Sequence, residues 1–171
     1  MFVPAAILAA SLLAATASSQ AQERIDGTDP QAIADLVRGY GSARLDVAGD
    51  NTPMIRGRIE GTSFVIYFYD CDDLDANCNT VSFAAGWEVS GLTVEQVNAW
   101  NRDKRFGRAY LDTEGEPVLE MDVNLKGSVS AENFEDTVDW WRVVMADFTS
   151  NVVKAAPGTP EPEEPSGEMR L

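Results

Sequence analysis

Apolar positions along this chain change period several times between Thr28 and Asn151, and each change marks an element. Ile33, Leu36, Val37 and Tyr40 recur at helical spacing after Asp29-Pro30 and before Gly39 and Gly41. This predicts a short helix with Asp29 as its N-cap and proline at its first position. Residues 43–47 and 54–60 then read as strands separated by the turn-forming Gly49-Asp50-Asn51, and Glu60-Gly61-Thr62 makes a second turn. In residues 63–69 both faces are apolar, with Phe64, Ile66 and Phe68 on one side and Val65, Tyr67 and Tyr69 on the other. Such a strand belongs in the middle of a sheet, or has helices on one face and a partner on the other.

Val81, Phe83, Ala85 and Trp87 alternate with Ser82, Ala84, Gly86 and Glu88, so one face of this strand is core and the other is small. Small residues beside Tyr67 and Tyr69 would leave a shallow, aromatic-edged surface on the sheet, unless loops or a helix cover it. Thr93-Val94-Glu95-Gln96 has the spacing of a capping box and predicts a second helix from Val94, with Val97 and Trp100 directed to the core. Arg102, Lys104 and Arg105 sit near its last turn, where they suit the negative pole of the helix dipole. Residues 106–112 and 117–125 read as a hairpin about Thr113-Glu114-Gly115-Glu116, whose second strand has one wet face at Glu120, Asp122 and Asn124.

The last helix is predicted from Ser130 to about Val152. Phe134, Val138, Trp141, Met145 and Phe148 follow the 3.6-residue period, and Trp140, Val143 and Val144 widen the stripe. A stripe this broad either wedges the helix between the sheet and the second helix, or leaves Trp140 and Val143 facing a partner. The expected fold is α+β, a twisted antiparallel sheet with three helices in the order α, β meander, α, β, β, α.

The ends of the chain read differently. Residues 1–21 are apolar and free of charge, with small residues suited to cleavage after Ala21 or Ala17, as in a secretory signal peptide, although the usual basic n-region is missing. The packed domain is expected at 28–152, and residues 155–171 form a polar, proline-rich acidic tail expected to be disordered. The sequence carries 28 acidic and 13 basic residues, a formal charge of −15, and all of it lies beyond residue 21. So acidic a surface argues against nucleic acid and anionic lipid as partners, and in an exported protein it favours solubility. With the leader removed, no stable membrane insertion is expected.

There is no histidine and no Gly-rich phosphate loop, so most of the usual means of building an active site are missing. Cys71 and Cys78 bracket eight residues between two strands, and in an exported chain such a pair is most simply a disulfide. Redox catalysis would need a spacing and a histidine that are absent. Asp73-x-Asp75-x-Asn77 echoes the start of an EF-hand, but Cys78 replaces the required glycine and Ala84 the bidentate glutamate, leaving a solvated hairpin tip or a weak calcium site. Paired carboxylates could serve a hydrolase, but nothing singles out a pair, and the chain is read as carrying no catalytic residues. Asn98 and Asn101 lie one turn apart near Trp100 and ahead of Arg105 and Arg108. They either satisfy backbone groups where the helix ends, with the arginines paired to Asp112, Glu120 or Asp122, or offer hydrogen bonds to a ligand. Because tryptophan and arginine dominate interfaces, Trp140, Arg105 and Arg108 complete the candidate binding surface.

Taken together, Asp29-Pro30, Gly61-x-x-Phe64, the Cys71 and Cys78 pair, Asn98-x-Trp100-Asn101-x-x-x-Arg105-Phe106-x-Arg108-Ala109-Tyr110, Pro117-x-Leu119-Glu120-x-Asp122 and Trp141 resemble the YbjN family, labelled bacterial sensory transduction regulators. The resemblance covers roughly Thr28 to Asn151. It implies an α+β domain similar to type III secretion chaperones, a class often paired through sheet or helix surfaces, here as a homodimer, in a family with no established enzymatic activity or cofactor. The leader adds export to this binding architecture, so the expected role is a periplasmic or secreted module that binds an unknown protein or peptide. A small-molecule or metal-responsive sensor domain is the alternative.

Overall fold

The computed structural model describes residues 23–73 and 76–157. The leader, the tail beyond Pro157 and the hairpin positions Leu74 and Asp75 lie outside the described residues. The helices and sheet follow the expected α+β order. Helix α1 (Pro30–Val37) is capped by the Asp29 carboxylate, which accepts the Ala32 N–H at 3.0 Å. A single 3₁₀ turn follows. Strands β2 (Ser42–Val47), β3 (Pro53–Ile59), β4 (Thr62–Tyr69) and β5 (Thr80–Gly86) form an antiparallel meander. Glu60 and Gly61, with φ of 48° and 86°, make the tight left-handed turn between β3 and β4.

Helix α2 (Val94–Asp103) begins at a complete capping box between Thr93 and Gln96. Strands β6 (Arg108–Leu111) and β7 (Pro117–Asn124) form a hairpin, and β7 docks beside β5, giving the sheet order β2-β3-β4-β5-β7-β6. Helix α3 (Ala131–Phe148) continues into a π turn over Thr149–Val153. A second, two-stranded sheet pairs β1 (Arg24–Ile25) with β8 (Val129–Ser130). Two-residue strands have no period to read, so nothing in the sequence pattern announces them.

The core lies on one face of the sheet. Phe64, Ile66, Phe83 and Leu119 point to it from the strands, and Trp141, inaccessible to solvent, sits on Phe64 and Phe83 at ring distances of 6.0 and 5.6 Å. Gly57 leaves the space that the Phe64 ring fills, since a Cβ there would meet that ring at 2.3 Å. The opposite face is open: Arg56 and Tyr69 are exposed, Val65, Tyr67 and Ala84 are half-buried, and no described helix covers them. The shallow aromatic-edged surface expected from the pattern therefore exists.

Both sheet edges are occupied by side chains. On β2, Arg38 donates to the Ala43 carbonyl at 3.3 Å and the Asp46 carboxylate accepts the Val47 N–H at 2.9 Å. At β6, Asn101 takes both free backbone groups of Ala109. Unpaired edges invite other chains to add strands, and these contacts take up part of each edge.

Cys71 and Cys78 form a disulfide. Cys78 is buried and bridges Gly27, where a Cβ would meet the Cys78 carbonyl oxygen at 2.0 Å. The disulfide thus closes the β4–β5 hairpin, and the Gly27–Cys78 bridge ties it to the segment entering α1. Replacing both cysteines by alanine is expected to cost about 2.5 kcal/mol, the chain-entropy value for so small a loop. Urea unfolding of both forms measures it.

Candidate binding groove

The site is built at the end of α2, where helix gives way to β6. Asn101 Oδ1 accepts the Ala109 N–H and its Nδ2 donates to the Ala109 carbonyl, both at 2.9 Å, so the side chain acts as a short extra strand. This folds residues 104–107 into a tight bend against α3. Gly107 is required within it, because a Cβ would lie 2.8 Å from Val144 Cγ1 and 3.1 Å from Leu119 Cδ1. With Gly107 held against the core, Phe106 is pushed outward at a φ of 67°, and its ring is 53% exposed. Phe106 was expected within a strand. It lies outside β6 because packing at Gly107 and the Asn101 clamp set the backbone of the bend.

Phe106 meets Trp140 of α3 at a ring distance of 4.4 Å. Trp140 and Val143 are each 42% exposed, and the Trp140 indole N–H donates to Asp136 at 3.1 Å. Together with Lys104, Arg105 and Val144 they line an open groove of about 310 Å³. Trp100 forms its inner wall, buried edge-on against Phe148 at 5.0 Å.

Asp147 joins the two helices beneath the groove. Its carboxylate accepts the Trp100 indole N–H at 2.8 Å, the Lys104 ammonium at 2.8 Å and the Asn151 amide at 2.9 Å. Burial pushes the Asp147 carboxyl upward, but the hydrogen bonds from Lys104 and Trp100 and the Lys104 charge outweigh it and hold the group below its usual value.

Two of the sequence-derived candidates, Arg105 and Trp140, come together in the groove. Asn98 is exposed on α2 and does not line it, and Asn101 serves the backbone instead of a ligand. Arg108 lies on the open sheet face, where it pairs with Glu120 and sits over the Tyr110 ring at 5.8 Å. The Glu120 hydrogen bond and charge raise the Arg108 pKa further. Phe106 and Asp147 are groove residues that the sequence pattern did not select as candidates, whereas Val143 was read with Trp140 as one that could face a partner. A lone aromatic after a basic run was the available signal for the first.

In the acidic hairpin, Asp72 accepts the Ala76 N–H at 3.1 Å and the Asn77 amide at 2.6 Å. Among the described residues, which do not include Asp75, no group of three acidic or cysteine side chains is placed to hold a metal ion. Among them, too, no helix is long and apolar enough to cross a membrane.

Two measurements test this construction. Asn101→Ala, which leaves the Ala109 N–H and C=O unpaired, should lower unfolding free energy by about 2 kcal/mol, against less than about 0.5 for Asn98→Ala. The Asp147 contribution should be present above the ordinary carboxylate pKa and vanish as pH falls through the lower folded value. Asp147→Asn is therefore expected to melt below the wild type at pH 6, with the gap closing as pH falls below the ordinary carboxylate value.

A search of curated proteins finds no match to the chain. The sequence model of one family, described as "Putative bacterial sensory transduction regulator", matches residues 29–152, which contain every groove residue named above. The chain belongs to this YbjN family.

Proposed function

We propose that the domain is a non-enzymatic regulatory module that binds a protein or peptide, and that the groove between the end of α2 and α3 is its binding face. Phe106 carries this reading. A non-glycine residue in the left-handed region costs energy, and the fold spends it on placing an exposed phenylalanine against an exposed tryptophan. Buried anchors of this kind, surrounded by contacts that exclude water, dominate most protein interfaces. Side chains take up part of each sheet edge, at Ala43 and Val47 on β2 and at Ala109 on β6, which favours a groove or a face over strand addition for a partner.

General-acid catalysis is disfavoured by Asp147, the carboxylate that lines the groove. Asp147 is held ionised by Lys104 and Trp100, whereas a general acid needs its pKa raised. Export to the periplasm or beyond the cell is part of the same proposal, supported by the apolar leader and the disulfide.

The test is crosslinked capture from the native cell with the tagged full chain. It compares wild type with Trp140→Ala, Phe106→Ala, Arg105→Ala and, on the open sheet face, Tyr69→Ala, each checked for folding by circular dichroism. The partner should be retained by Tyr69→Ala and weakened more than about tenfold by Trp140→Ala or Phe106→Ala, as for interface anchors. Arg105→Ala should weaken it less. Undiminished capture by folded Trp140→Ala and Phe106→Ala would remove the groove from the account.

A further inference from the structure

Resting on that reading of the groove, we propose that its resident occupant is this chain's own acidic, proline-rich segment after Pro157, which an external partner must displace. The first observation is where the described chain ends. Pro157 packs on Gly91, just before α2, so close that a Cβ on Gly91 would meet the proline ring at 3.5 Å. From that point a second groove of about 320 Å³ runs along α2, lined by Leu92, Gln96 and Ala99 on one side and Val152 and Ala155 on the other. It shares Trp100 and Lys104 with the Phe106–Trp140 groove, so the two make one continuous path.

The length of chain available suits this path. The helical run from Trp140 to Pro157 spans roughly 25 Å at about 1.5 Å per residue. An extended proline-rich segment returning at about 3.1 Å per residue covers the same distance by Pro165. Pro160-Glu161-Pro162-Glu163-Glu164-Pro165 spaces its prolines as polyproline segments do, and such segments dock in grooves lined by aromatic rings.

Charge selects the same occupant. On a chain of net charge −15, Lys104 and Arg105 line this path with Arg102 just before them on α2, while Asp103 and Asp147 also line it. Arg102 and Arg105 form no ion pair among the described residues, and Lys104 has one, with Asp147. Three glutamates between residues 161 and 164 would lie beside these cations while Pro162 and Pro165 contact Trp100, Phe106 and Trp140. Surface pairing of this kind weakens with salt, which gives the contact a distinct signature.

The experiment is NMR on the ¹⁵N-labelled full chain, following the Trp140 indole N–H and the amides of residues 104–106. Wild type is compared with Glu161→Gln/Glu163→Gln/Glu164→Gln and with Pro162→Ala/Pro165→Ala, substitutions that lie beyond the packed domain. The groove signals are expected to move in both variants, to move in wild type as salt is raised, and to be the same at low and high protein concentration. A synthetic 158–171 peptide should bind the glutamine variant about tenfold more tightly than wild type, if an effective concentration of about 1 mM opposes a trans Kd of about 100 µM. Identical groove signals in wild type and both variants overturn the proposal, and so do shifts that grow with protein concentration, which place a second copy in the groove. Either result leaves the binding function standing if capture still depends on Trp140 and Phe106. Loss of that dependence removes the function reading whatever the tail does.

Discussion

The rotation of α3 about its own axis is the constraint from which the rest follows. Phe134, Val138, Trp141, Met145 and Phe148 must all face the sheet, and Trp141 has only one place to go, between Phe64 and Phe83. Successive helix residues are about 100° apart, so seating Trp141 on the sheet leaves Trp140 and Val143 on the flank. The exposed apolar pair is therefore a geometric consequence of filling the core, as well as a surface on which a partner can act.

What converts that flank into a groove is the bend after α2. Asn101 holds Ala109 as a neighbouring strand would, Gly107 admits Val144 and Leu119, and Phe106 is turned outward onto Trp140. Asp147 then binds Trp100 and Lys104 from the other helix, so the two walls cannot separate without breaking a partly buried network. The same asparagine caps a sheet edge, which links the architecture of the groove to protection of the sheet from unwanted pairing.

The open sheet face is a second exposed surface of different character. Its rows place Arg56 beside Val65 and Ala84, and Glu120 beside Arg108, so charges flank a narrow band of small and aromatic residues. The charges are largely paired with one another, as at Asp46 with Arg56 and Glu120 with Arg108. The groove differs in its closer aromatic contact, with Phe106 on Trp140 at 4.4 Å against 6.4 Å between Tyr67 and Tyr69 on the sheet face. That difference is why the binding role is assigned to the groove.

Local pattern alone determined the elements: Asp29 and Thr93 as caps, Gly61 in the turn, the alternation of β5 and β7, and the 3.6-residue stripe of α3 all act over a few residues and are legible without the fold. The arginine words and the tryptophan of α3 likewise pointed to the stretch where Arg105 and Trp140 line one groove. Tertiary structure decided which of those residues share a site. Asn101 reads as either a backbone partner or a ligand-facing amide, and Arg108 as either a carboxylate partner or a binding residue, until the fold returns Ala109 to Asn101 and strand alternation sets Arg108 on Glu120. Phe106 reads as strand until Gly107 is pressed against Val144. Periodicity encodes which face of an element is apolar, whereas the meeting of two faces depends on packing between residues far apart in the chain, and that information exists only once the core has closed.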